Sequence, residues 1–311
     1  MVEPDGAEAG VDMTKTQQRP FRSVSNDVDV DRLVDEPSRV RAFARGIFAV
    51  ADALAPAFDL ARIYVDGLEN LPRDGRFLLV GNHTVSGLAE VVLIPYVVHR
   101  ELGVRVRGLA NLQMTGTTGV VRDALEAAGA VPGRPETCAE LMRQGESILV
   151  FPGGGRDMLK FKGEEYTLQW ERRSGFARLA VEHEYPIVPV GLVGGDDVYR
   201  SVVERDGAWE TRSRKLGERV HGLPGVGIPI VRGLGPTLIP RPQRMYLRFE
   251  PPMATSRPPR VTVDTWVTTV KEDARTALER TLADLQELRA TDPFRNLNPL
   301  AWHRAAQARS R

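Results

Sequence analysis

Between residues 76 and 249 the chain alternates short apolar runs with amphipathic stretches, and this rhythm restricts the fold more than any other feature. Residues 76–80, 104–109, 147–151, 186–192 and 245–249 are brief, rich in β-branched or aromatic side chains, and bounded by Gly, Pro or charge, so they read as strands. The stretches between them, 87–102, 117–128, 136–144 and 175–183, read as helices. Strands separated by helices predict an α/β fold with a mostly parallel or mixed central sheet flanked by helices.

The flanks read differently. Residues 1–30 lack any apolar period and are expected to be a disordered tail. Over residues 31–60, Val40, Phe43, Ile47, Val50, Leu54 and Phe58 recur at three- and four-residue spacing, which predicts an amphipathic helix beginning near Pro37. Its stripe suits packing on the main domain or, with Arg39, Arg41 and Arg45 beside it, contact with anionic lipid. The main domain is expected over 61–255. A second amphipathic pattern, from Val263 to Leu285, places a C-terminal helix within 256–290, packed on that domain, and 291–311 reads as a tail. Residues 221–242 hold Gly and Pro too often for a regular element, and fit either a buried loop or a loop lining a lipid entrance.

Charge and cysteine content narrow the function classes. Forty-two Lys and Arg against 41 Asp and Glu give a net charge of +1, which offers no overall basic field for nucleic acid. The single cysteine, Cys138, forms no intrachain disulfide, and no Cys/His cluster has zinc-ligand spacing, so no metal is expected and the compartment is expected to be reducing. The N-terminus lacks the order of a secretory signal, and no run of about 18 apolar residues occurs. These features predict a cytoplasmic protein.

Two places have the makings of chemistry. In Val80-Gly81-Asn82-His83 a strand ends on an imidazole beside a helix start, where open α/β sheets place ligands. Imidazole accepts a proton at neutral pH, although a lone histidine is more often structural. In Val150-Phe151-Pro152-Gly153-Gly154-Gly155-Arg156-Asp157 a strand runs into three glycines, whose bare amides suit an anion or a developing oxyanion. Arg156 adds a planar donor fork. The Lys-Ser/Thr ending of a nucleotide-binding loop is missing, which argues against ATP.

In this order the two blocks resemble the glycerolipid acyltransferase superfamily, over roughly residues 67–252. Its members carry Asn-His-x-x-x-x-Asp after one strand and Phe-Pro-Glu-Gly-Thr-Arg-Ser after a later one. Here these are Asn82-His83 and Phe151 to Asp157; residues 129–134, Gly-Ala-Val-Pro-Gly-Arg, look like the family's Gly…Arg block, and Ile187-Val188-Pro189-Val190 like its last strand. Phe-Pro-Gly-Gly, followed by Lys162-Gly163-Glu164-Glu165-Tyr166 and Arg173-Ser174-Gly175-Phe176-Ala177, is similar to the monoacylglycerol and diacylglycerol acyltransferase-like branch, which takes in phytyl ester synthase-type enzymes. One position departs: the family's Asp falls on Leu88, and the nearest downstream carboxylate is Glu90. On a continuous helix Glu90 would sit about 10 Å along the axis from His83, so a direct bond needs a non-helical stretch, which Gly87 permits.

The resemblance implies an O-acyltransferase that moves a fatty acyl group from acyl-CoA, or from an acyl carrier protein, to a lipid hydroxyl: a neutral glycerolipid, a long-chain alcohol or a lysophospholipid. It implies His83 as general base, Glu90 as the acid that orients it with Asp157 in reserve, and Gly153, Gly154 and Gly155 as oxyanion donors. It also implies substrate contacts at Asn82, Arg134 and Arg156, weaker ones at Lys160 and Lys162, no cofactor beyond the co-substrate, and peripheral attachment to a membrane. Two other functions fit the same residues. A hydrolase would use His83 to activate water, though no Gly-x-Ser-x-Gly elbow is present. A catalytically silent lipid-binding protein would have its carboxylate turned away from His83.

Overall fold

The computed structural model describes residues 37–53, 62–85, 87, 89–110, 120–171, 173–221 and 225–297. Its strands are β1 Tyr64–Asp66, β2 Leu78–Gly81, β3 Arg107–Ala110, β4 Ala130–Pro132, β5 Ile148–Val150, β6 Ile187–Val193, β7 Arg200–Ser201, β8 Val231–Arg232 and β9 Tyr246–Phe249. Its α-helices are α1 Ser38–Ala53, α2 Ala89–Leu102, α3 Val120–Ala127, α4 Pro135–Arg143, α5 Gly155–Met158, α6 Gly175–Glu182, α7 Gly195–Val198, α8 Ala208–His221 and α9 Val263–Thr291.

Seven strands form one mixed sheet in the order β1-β9-β6-β2-β5-β3-β4, while β7 and β8 make a separate two-stranded ribbon. From β6 to β4 the strands are parallel; β9 runs antiparallel to β6 and parallel to β1. The chain leaves β2 for β3 and β4, returns to insert β5 between β2 and β3, then crosses to lay β6 on the other side of β2. The carboxyl ends of β5, β2 and β6 therefore lie side by side at a topological switch point.

Every residue of β2 and β6 is buried, as expected of strands covered on both faces. Leu79, Val188, Val190, Leu192 and Leu247 meet Ile94 and Val98 of α2 on one face. α9 takes the other face of β6: a Cβ on Gly191 would come 2.7 Å from Thr281 Cγ2, so this strand position accepts only glycine. Pro189 is tolerated inside β6 because its missing N–H falls where the β9 ladder stops; the ladder ends at Phe249, and only the Glu250 amide reaches the Pro189 carbonyl, at 2.9 Å.

Several elements differ from the sequence expectation. β1 and β4 are three-residue strands with too little pattern to register. α8 is strongly charged, yet it buries Glu210, Ser213 and Gly217. Glu210 accepts from the Gly227 amide at 3.0 Å, Ser213 Oγ from the Ile228 amide at 3.0 Å, and Gly217 lies against the Val226 carbonyl. Its inner face is polar because it satisfies the backbone of an irregular segment rather than a core. Residues 292–297, read as tail, are docked through Asp292, which takes a bond from Arg244 at 2.6 Å and another from Tyr246. In α1, Val40 and Ala44 pack with Ala127 of α3, whereas Phe43 and Ile47 stay exposed. The expectations for residues 1–36, 54–61 and 298–311 lie outside the described residues. Among the described helices none is long and apolar enough to cross a membrane.

Candidate active site

Val80 pairs with Val150 of β5 and with Pro189 of β6, so the segments leaving these three strands emerge together. The two sequence blocks meet there. His83 stacks on Phe151 with ring centroids 4.4 Å apart and planes 16° from parallel. Gly81 makes room for that phenyl ring, whose Cε1 would lie 3.1 Å from an added Cβ.

The backbone between β2 and α2 is a turn, closed by Gly87 N–H on the Thr84 carbonyl at 3.0 Å, with Gly87 at φ +63°. A Cβ at Gly87 would also meet Met158 Cε at 2.3 Å. Because α2 begins only at Ala89, Glu90 stands in its first turn and reaches back to the histidine. His83 Nδ1 bonds Glu90 Oε1; the Thr84 amide donates to Oε1 and the Thr84 hydroxyl to Oε2, each at 2.7 Å. Glu90 is fully buried, which by itself raises a carboxyl pKa, but the His83 and Thr84 bonds outweigh burial and hold it below the usual glutamate range. The ring nitrogen Nε2 has no hydrogen-bond partner among the described residues, and the His83 side chain is 12% exposed. The carboxylate is thus turned toward the imidazole, not away from it.

Behind this pair lies a hub in which the sequence suggested no role for its acid. Lys160, expected as a weaker substrate contact, is 1% exposed; its ammonium donates to the His83 carbonyl at 2.9 Å and to Asp196 Oδ2 at 2.6 Å. Asp196, just past β6 in α7, also accepts from the Val85 amide at 2.9 Å and the Tyr166 amide at 2.8 Å. One buried ion pair therefore ties together the loops after β2, β5 and β6. Tyr166 adds a bond to Asp197 and accepts from the Gly194 amide at 2.9 Å, and against Gly195 lies Thr84, whose Cγ2 would be 2.5 Å from a Cβ. The only sequence signal was Gly194-Gly195-Asp196-Asp197, a glycine pair and two acids at a strand's carboxyl end.

The glycine turn is arranged around Asp157. An added Cβ on Gly153 would fall 2.0 Å from the Asp157 Cγ, so this carboxyl fills the space a side chain at 153 would occupy. Asp157 is fully buried, accepts from the Gln169 backbone amide at 2.7 Å through Oδ1, and has no partner on Oδ2 among the described residues; burial pushes its pKa up. It makes no bond to His83. Gly154 spends its amide on the Phe151 carbonyl at 2.9 Å, which removes it from the expected oxyanion donors, whereas the amides of Gly153 and Gly155 donate to nothing among the described residues. Arg173 donates to the Pro152 and Gly153 carbonyls.

Of the expected substrate contacts, Asn82, Arg156 and Lys162 are engaged by partners within the chain, and Arg134 lies apart from His83. The Asn82 amide pairs reciprocally with the Leu192 backbone, Nδ2 to its carbonyl at 3.0 Å and Oδ1 from its amide at 2.8 Å, extending the β2–β6 junction. Arg156 is ion-paired with Glu171. Arg134 precedes α4 at the end of β4, on the same sheet edge as His83 but three strands, about 14 Å, away. Lys162 is exposed and faces Glu204 at 3.1 Å. A cavity of about 410 Å³ between β1 and α2, lined by Ile63, Val65, Leu68, Tyr96 and Val97, lies apart from these residues.

Comparison with known proteins adds the following. Residues 62–193 match the family model described as Acyltransferase. The chain is 30% identical over 266 residues to phytyl ester synthase 2, chloroplastic, of Arabidopsis thaliana, covering 78% of this chain and 37% of that protein. It is 29% identical over 139 residues to the human DGAT1/2-independent enzyme synthesizing storage lipids, covering 44% and 42% respectively. Among solved structures, the 1-acyl-sn-glycerophosphate (LPA) acyltransferase PlsC of Thermotoga maritima aligns with a TM-score of 0.40 at 14% identity, over 84% of each chain. The chain spans little more than a third of the plant relative's length.

Proposed function

We propose that this chain, whose residues 62–193 match the Acyltransferase family model, transfers a fatty acyl group from a thioester donor to the hydroxyl of a neutral lipid alcohol. The observation that supports the chemistry is the His83–Glu90 pair beside the Gly153 turn. In this reading His83 Nε2 takes the proton of the acceptor hydroxyl while its oxygen attacks the thioester carbonyl. Glu90 fixes the tautomer and stabilises the imidazolium. The tetrahedral oxyanion is held by the amides of Gly153 and Gly155. Collapse expels the thiolate of coenzyme A or of an acyl carrier protein, which regains the proton from His83. The step as written uses no metal or further cofactor.

A neutral acceptor is favoured by how the cations around the turn are spent. Lys160 is buried on Asp196, Arg156 is paired with Glu171, and Arg173 is tied to two carbonyls. A phosphate acceptor would have to pull one of these from its internal partner. The relatives, a phytyl ester synthase and an enzyme synthesizing storage lipids, carry names that agree with ester formation on neutral alcohols.

The test supplies the purified protein with labelled palmitoyl-CoA and, separately, a long-chain alcohol, a monoacylglycerol, a diacylglycerol or a lysophosphatidic acid, with mass spectrometry of the lipid extract. Label is expected in a neutral ester and absent with His83→Ala, whose fold is retained. Thiol release indifferent to the alcohol would establish hydrolysis instead, and acylation of the phosphate acceptor alone would overturn the acceptor class.

A further inference from the structure

Residues 228–241 contain the most exposed apolar side chains among the described residues: Leu238 is 70% exposed, Ile239 59% and Leu234 55%. A mobile loop could turn such residues inward; this one is held by its own backbone. Gly233 N–H bonds the Thr237 carbonyl at 2.6 Å, Leu234 N–H the Ile239 carbonyl at 2.7 Å, and Thr237 Oγ1 bridges between the Leu234 carbonyl and the Ile239 amide. Gly233 allows the ring to close, because a Cβ there would sit 1.9 Å from the Ile239 carbonyl oxygen. From outside, Arg241 donates to the Gly233 carbonyl at 2.9 Å and Tyr199 to the Leu238 carbonyl at 3.2 Å. Val202 and Ile230, joined by a backbone bond of 2.9 Å beside the β7–β8 ribbon, extend the apolar surface toward Trp209.

The base of this tip is positive. Arg200 and Arg232 face each other in the β7–β8 register, and Arg241 lies close enough that, after burial, these two guanidinium groups hold its pKa below the ordinary arginine value. No carboxylate among the described residues ion-pairs with any of the three; Asp197, the acid nearest in charge terms, is engaged by Tyr166 and Arg289. Like charges crowded without a counter-ion are destabilising unless an anionic partner neutralises them.

We propose that this loop is a membrane-docking element: Leu234, Leu238 and Ile239 enter the acyl region of a bilayer while Arg200, Arg232 and Arg241 meet anionic lipid headgroups. Rigid aliphatic side chains above a cationic collar are what an interfacial segment requires, apolar area for insertion and charge for attraction. The placement serves the site, since Arg200 follows Asp196 by four residues and Asp196 anchors the His83 loop. The purpose of docking rests on the acyl-transfer reading, but the docking itself is measured without turnover.

The experiment is co-sedimentation of the full chain with phosphatidylcholine vesicles, with and without phosphatidylglycerol, and no acyl donor present. Wild type and His83→Ala are expected to bind the anionic vesicles alike, so lost chemistry leaves docking untouched. Leu238→Glu lowers the bound fraction about tenfold, and Arg200→Gln with Arg232→Gln removes the preference for phosphatidylglycerol. Leu238, Arg200 and Arg232 are exposed, and unchanged thermal melting verifies the fold of each variant. Binding that survives Leu238→Glu, or that is lost only on Phe43→Ser with Ile47→Ser in α1, overturns the assignment. So does a wild-type dimer that Leu238→Glu converts to monomer with no vesicle binding, which would make the patch an interface between copies of this chain.

Discussion

Replacing Glu90 by Gln separates the architectural and chemical parts of the carboxylate. Three donors converge on it: His83 Nδ1, the Thr84 amide and the Thr84 hydroxyl. Glutamine keeps Oε1 for the first two, and its amide takes the place of Oε2, where the Thr84 hydroxyl can rotate and accept. What disappears is the negative charge. Since charge-assisted bonds are roughly twice as strong as neutral ones, stability should fall by about 1–2 kcal/mol. The imidazolium formed in the transition state loses a unit charge at contact, worth about 4 kcal/mol at an effective dielectric of about 20. That corresponds to about a thousandfold in kcat. KM for the thioester should hardly change, because the interaction is made only as the proton moves. The assay is initial-rate acyl transfer at saturating alcohol, with thermal unfolding in parallel. A variant that melts about as predicted but retains kcat within about tenfold of wild type would show that Glu90 only braces the loop and that the charge argument is wrong.

The same carboxylate gives a pH signature in stability. Its folded pKa is depressed, so its contribution is present above the ordinary glutamate range and is lost as pH falls through the folded value; the stability gap between wild type and Glu90→Gln should therefore narrow on acidification in chemical denaturation. Lys160→Met leaves Asp196 buried without its cation and should cost about 3–5 kcal/mol, part of which returns in Lys160→Met with Asp196→Asn; equal melting of the single and double variants would contradict the pairing. Gly153→Ala forces a methyl into the Asp157 carboxyl and should destabilise by about 2–4 kcal/mol, but much less in an Asp157→Ala background; additive losses in that double-mutant cycle would show that the two positions do not share the space.

Part of this protein was legible along the chain. β2, β5, β6 and β9, with α2, α4, α6 and α9, were readable because each presents a local period of two or 3.6, or a buried run framed by breakers. The blocks at His83 and Phe151 were readable for the same reason: each follows a recognisable strand and consists of adjacent residues. α8 escaped because its buried face carries Glu210 and Ser213, chosen for the bare backbone of residues 227–228, a partner that exists only after folding. β1 escaped because three residues carry too little pattern to distinguish a strand that borrows its ladder from β9.

The site divides along the same line. The sequence by itself determined that an imidazole and a glycine turn end two strands, and that an acid stands seven residues past the imidazole. Only the tertiary structure decided which acid faces the ring, that Lys160 is a buried tie and not a surface charge, that Asp157 lies where a side chain at 153 would be, and that Asp196 holds three loops at once. Sequence patterns record the exposure of a residue along its own helix or strand. The pairing of charges 36 residues apart, as in Lys160 and Asp196, depends on strand order, which is set by how the whole sheet buries its two faces.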